Sequence, residues 1–172
     1  YASIGGLYMQ MGQQAKAKEL ILRSLQINQA NARAHRLLAS IYVNEQNYES
    51  AETQLIETIK LDDNDLLDKV NLADLYLITK QAKKAIPILT ELTTSKVKGN
   101  DRRNVFAKLA VLNFIYNSPE ASEETVAQLI STDPDPLSFV VLAQAFAAFQ
   151  KNEQAVMILQ QGLQKYPAVI EF

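Results

Sequence analysis

Tyr8, Tyr42 and Tyr76 stand 34 residues apart, and Ala17, Ala51 and Ala85 recur at the same interval. A large aromatic and a small residue held in register at this period mark a chain built from helix-turn-helix repeats. One such repeat cannot bury its apolar face alone, so neighbours must stack into a solenoid. The period therefore fixes the fold class as all-α before any other feature is considered.

The pattern can be followed through five tandem repeats. The first reads Tyr1, Ile4-Gly5, Tyr8, Ala17, Ile21, and the second His35, Leu38-Ala39, Tyr42, Ala51, Leu55, Asp63. The third reads Lys69, Leu72-Ala73, Tyr76, Ala85, Leu89. The fourth reads Phe106, Leu109-Ala110, Asn113, Ser122, Val126, Pro134, and the fifth Phe139, Leu142-Ala143, Phe146, Ala155, Leu159, Pro167. The small residues allow two helices to approach closely, and polar turns such as Gly12-Gln13 and Gln46-Asn47 separate them. This succession resembles the tetratricopeptide-repeat family over nearly the whole chain. The resemblance implies a right-handed superhelical solenoid of antiparallel helix pairs. Its repeats are expected at 1–31, 32–65, 66–99, 103–135 and 136–169.

The departures carry information. No repeat has the family's tryptophan, and the fourth lacks both the tyrosine and the alanine. Tyr76 and Asn113 are 37 residues apart, so about three residues are inserted, placed by this reading within Thr94–Arg103. They are expected to lengthen a helix end or to change the angle between repeats. Ser118-Pro119 is a helix start, and Pro87, inside a helix, should bend it. Val105–Ile115 would pass for a strand in isolation, but its apolar positions recur at helical spacing.

Composition removes whole classes of function. The net charge of −2 and pI near 5.5 lack the basic face that nucleic acid requires. No apolar run is long enough to span a membrane. Without cysteine there is no disulfide, thiolate metal site or Cys-His catalysis. The single histidine, His35, stands where the repeat needs a packing residue. Asp62, Asp63, Asn64, Asp65 and Asp68 faintly suggest calcium, but lack the turn glycine and the bidentate glutamate of a helix-loop-helix calcium site. The sequence thus implies no enzyme, cofactor or metal. The absence of cysteine suits the cytoplasm and equally a bacterial periplasmic or outer-membrane-associated setting. In this register Tyr1 is expected inside a helix, as in a piece cut from a longer protein.

The family resemblance places ligand-facing positions on the first helix of each repeat. In the second repeat they are Arg33, Arg36, Ser40, Val43 and Asn44. In the third they are Leu67, Val70, Asn71, Asp74, Leu77 and Ile78. In the fourth they are Asn104, Ala107, Lys108, Val111, Phe114 and Ile115, and in the fifth Leu137, Val140, Gln144, Ala147 and Ala148. The function implied is a protein-protein interaction scaffold that holds a peptide or helix segment in a concave groove. Lysine, asparagine, glutamine and isoleucine usage suggests a bacterial chain, and the family resemblance then implies an assembly, secretion or envelope-biogenesis pathway. Arg36, Asn71 and Lys108 are compatible with the two-carboxylate clamp of chaperone-binding members, whereas Ser40 and Asn104 depart from it. Leu77→Glu is expected to remove partner binding while keeping helical content. The competing reading is a structural spacer or oligomerisation segment of a larger repeat protein or lipoprotein. The apolar tail Tyr166–Phe172 supports it by pointing to self-association through the C-terminal end.

Overall fold

The computed structural model describes residues 1–62 and 65–167. Among these the regular structure consists of ten helices, with no strand. They are α1 (Ala2–Gln10), α2 (Gln14–Ile27), α3 (Ala32–Asn44), α4 (Tyr48–Leu61) and α5 (Leu66–Ile78). There follow α6 (Ala82–Thr94), α7 (Gly99–Tyr116), α8 (Pro119–Thr132), α9 (Pro136–Ala148) and α10 (Asn152–Lys165). The all-α reading holds, and Val105–Ile115 is helical. The expectations placed on Asp63, on Asn64 and on the tail from Ala168 onward lie outside the described residues.

Helix boundaries follow from local chemistry. Asn31, Asn47 and Ser118 each accept a backbone N–H three residues ahead, and Asp65 and Asp135 accept one two residues ahead. These side chains satisfy donors that a helix start leaves unpaired. Four of the turns within a repeat are three residues long and carry one left-handed residue. It is Gly12 in the first repeat, then Gln46, Lys80 and Gln150, all near φ +60°. Only the first uses the residue suited to that conformation. The fourth repeat turns in two residues, Asn117 and Ser118, with Pro119 opening α8.

The chain divides into two compact units, Tyr1–Gln81 and Ala82–Phe172. In the N-terminal unit α1 pairs with α2 and α3 with α4, while α3 packs on α2 and α5 on α4. Each new first helix thus rests on the preceding second helix. The core gathers Ala17, Ile21, Ala34, Leu38 and Ile41, with Tyr8 and Tyr42 packed against it. Gly5 is required here: a Cβ at that position would lie 2.7 Å from Ile21 Cγ1 and 3.2 Å from the Ala17 carbonyl oxygen. Tyr76 is buried, and its hydroxyl donates to Glu52 Oε1 at 2.7 Å.

The C-terminal unit is assembled differently. Here α7 pairs with α8 and α9 with α10, but α9 packs chiefly on α7 and only slightly on α8. Phe106, Leu129, Phe139, Leu142, Phe146 and Ile158 form the core. The inserted residues lengthen α7, which has 18 residues against 13 in α3, α5 and α9. In place of the repeat's tyrosine, buried Asn113 donates to Thr125 Oγ1 at 2.9 Å and accepts from Asn117 Nδ2 at 2.7 Å. Ser122 stands buried in place of the alanine. A buried arginine ties the junction. Arg103 Nε donates to Asp133 Oδ2 at 2.7 Å, and Nη2 donates to Asp135 Oδ2, beside the α9 start, at 2.8 Å. These carboxylates raise the Arg103 pKa, the hydrogen bond to Asp133 contributing most. α6 continues through Pro87 without interruption.

Candidate functional site

The predicted ligand-facing positions of the second and third repeats converge within the N-terminal unit. Helices α3 and α5 flank a cavity of about 260 Å³. Arg36, Ser40, Val43 and Asn44 line it from α3, and Asn71, Asp74, Leu75 and Ile78 from α5. Ala39 and Leu55 complete the lining. Seven residues that the sequence placed on the ligand face therefore meet in one hollow. Leu55, Leu75 and Ala39 were not among them. They belong to the packing positions of the repeat, which a face assignment sets aside.

Arg36 fixes the spacing of the two helices. Its Nε donates to Asp68 Oδ1 at 2.6 Å and its Nη2 to Asp68 Oδ2 at 2.7 Å, a two-point contact from α3 to α5. Nη2 also pairs with Asp65, whose other oxygen caps α5. The Asp68 side chain is fully buried. Hydrogen bonding to Asp68 raises the Arg36 pKa, burial opposes this, and the charges of Asp68 and Asp65 add to the rise. Two consequences follow for the sequence reading. Arg36 is committed to two carboxylates of its own chain, which corrects its assignment to a carboxylate clamp. Asp65 and Asp68 likewise serve an arginine, and among the described residues no cluster of acids and histidine is arranged to hold a metal ion. His35 is half-buried, with Nδ1 2.7 Å from Gln54 Oε1 and Nε2 2.8 Å from the Gln29 carbonyl oxygen.

What remains at the hollow is amide, carboxylate and apolar surface. Asn44 and Asn71 can exchange hydrogen bonds with a peptide backbone, and Val43 and Ile78 offer contact to an apolar side chain. Ile78 is 54% exposed, which marks it as surface rather than core. Arg33 is exposed, while Val70 and Leu77 are half-buried outside the cavity lining.

The C-terminal unit treats the same positions otherwise. Ala107 and Val111 are buried in its core, Val111 completely, and Phe114 is half-buried in edge-to-face contact with Phe146 at 5.9 Å. The cause is the packing of α9 directly on α7, which covers the face assigned to a ligand. Val111 is accordingly withdrawn from the binding surface. Asn104, Ile115 and Gln144 are exposed, and Lys108 and Val140 half-buried.

Stacked helix pairs with small residues at their crossings define a helix-turn-helix repeat protein. The tetratricopeptide-repeat model matches residues 1–31. No curated protein matches the chain by sequence. Solved structures share its fold. One is YrrB, described as a tetratricopeptide-repeat protein with an unusual peptide-binding site. It has 15% identity and a TM-score of 0.70 over 98% of this chain and 86% of that one. Another is residues 41 to the end of MamA from Desulfovibrio magneticus, with 14% identity and a TM-score of 0.69 over 98% and 94%. Pseudomonas aeruginosa pilF is similar at 20% identity and a TM-score of 0.67, over 94% of this chain and 74% of that one. The fold is that of a tetratricopeptide-repeat protein.

Proposed function

We propose that this chain is a non-catalytic interaction scaffold that binds a peptide or helix segment of another protein at the α3–α5 hollow. The observation that carries the reading is the convergence of Ser40, Val43, Asn44, Asn71, Asp74 and Ile78 around one cavity. A mixed lining of this kind holds a backbone by its polar groups and selects side chains by its apolar ones. The tetratricopeptide fold, and the description of YrrB as a peptide binder, support the same class of work. The organisms of the similar pilF and MamA structures fit a bacterial setting.

Affinity capture from an extract of the source cell tests the proposal, comparing the native chain with Ile78→Glu. Ile78 is exposed, so the variant should retain its helical circular dichroism while losing the captured partner. Identical captured proteins from both would overturn the reading. A second reading, an oligomerising or spacer segment, draws on the exposed apolar residues Ile4 and Leu7 of α1 and Met11 at its end. It requires a mass that rises with concentration in sedimentation.

A further inference from the structure

The unusual stacking of the C-terminal unit leaves a second cavity, of about 630 Å³, between α8 and α10. Because α9 rests on α7, α8 stands apart from the helices that follow it. Phe114 and Phe146 line this gap. Val126 and Ile130 form one wall, and Met157 and Ile158 the other. The α8 lining runs from Pro119 to Ser131, which at 1.5 Å per residue is about 18 Å, or roughly three helical turns. Two helical walls and an apolar interior of this length match a third helix laid between them.

The charges at its two ends differ. α7 and α9 run parallel, since Arg103 near the start of α7 bonds Asp135 at the start of α9, and Phe114 meets Phe146 near their ends. Their partners α8 and α10 therefore also run parallel, and Lys151 at the start of α10 lies over Phe114. At this end α8 presents Glu123, flanked by Glu120 and Glu124. Hydrogen bonds from its own backbone N–H and from Ser118 hold the Glu120 carboxyl below the usual range, so it stays ionised. At the far end the groove is bounded by Lys165 and by the carbonyl ends of α8 and α10.

We propose that the α8–α10 groove docks an amphipathic helix of about three turns running antiparallel to both walls, with an acidic first turn and a basic last turn. Apolar anchors at i, i+3 or i+4, and i+7 would fill the apolar strip. The acidic start would meet Lys165, the free N–H groups of the docked helix's first turn would face the carbonyl ends of the two wall helices, and the basic end would meet Glu123. This surface lies on the second helices of the repeats and is independent of the α3–α5 hollow.

The probe is a fluorescein-labelled synthetic helix of about 14 residues, with two glutamates at its start, leucines at helical spacing and two lysines at its end. Fluorescence anisotropy is read against the full chain. Saturable binding is expected, weakened at least about tenfold by Met157→Asp. Met157 is 58% exposed, so that variant should keep its circular dichroism and melting temperature. Ala127→Trp, which fills the groove from another exposed position, should block binding equally. Glu123→Lys should weaken this peptide and strengthen one with its terminal charges exchanged, while Ile78→Glu should change nothing. Equal binding of the two peptides by the native chain would overturn the proposal, as would indifference to Met157→Asp or no binding at millimolar peptide. A concentration-dependent dimer abolished by Met157→Asp would reassign the groove to a second copy and overturn it as well.

Discussion

The N-terminal unit keeps the period of the repeat and the C-terminal unit breaks it, and their helix packing differs accordingly. In the former, each first helix lies on the preceding second helix, and a hollow remains on the first-helix side. In the latter, α9 lies on α7, the corresponding face is buried, and the gap appears between the second helices. The divergence of the fourth repeat accompanies this change. Tyrosine and alanine give way to Asn113 and Ser122, the turn shortens, and α7 gains length. One unit is thus open between its first helices and the other between its second helices.

The contrast can be tested by substitution, beginning with the junction of the divergent repeat. Arg103→Ala should destabilise the chain by about 1–3 kcal/mol, because the charge-assisted hydrogen bonds to Asp133 and Asp135 and the packing of the buried arginine are lost, while the two partly exposed carboxylates turn to solvent. Urea unfolding should show the C-terminal unit melting early, with the N-terminal unit little changed. Gly5→Ala attacks the regular unit instead. The Cβ would press on Ile21 and on the Ala17 carbonyl, for a loss of about 1–3 kcal/mol by the same measurement.

Smaller effects refine the picture. Gln46→Gly and Gln150→Gly should each raise the unfolding free energy by about 0.5–1 kcal/mol, since both residues occupy the left-handed region. The two units should respond alike, because their three-residue turns are alike. Tyr76 supplies a pH signal confined to the regular unit. Burial, reinforced by Glu52, pushes its pKa up to about 12. The native state thus holds the phenol proton longer than the unfolded chain. The contribution is complete below about pH 10, the ordinary tyrosine value. It is lost as pH rises towards 12. An ultraviolet titration of the native chain against Tyr76→Phe should isolate this late ionisation.

These differences explain what could be read from the sequence. The ten helices, their turns and the hollow between α3 and α5 follow from a period, because position within the repeat dictates facing. Gly5 and Ala17 were legible as close-approach residues for the same reason. Arg36 was not legible as a structural residue. Its partners Asp65 and Asp68 lie 29 and 32 residues further on, at the boundary with the next repeat, where solvated acids are equally common. Val111 was misplaced because the register assumes that α9 sits on α8. Nothing local to Val111 reports that α9 sits elsewhere. The α8–α10 groove escaped for the complementary reason, since its walls come from positions that a regular array keeps at its back.

The Asn113–Thr125–Asn117 hydrogen bonds carry a consequence for the history of such a chain. The first three repeats share a tyrosine and an alanine at matching positions, so those could be duplicated, deleted or exchanged and still find a compatible neighbour. In the fourth repeat a directional polar network stands in place of that pair, and its three residues all lie within the repeat. Recombination with a breakpoint inside it, between Asn113 and Thr125, would strand a buried amide. The divergent repeat is therefore a unit that is kept whole or lost whole.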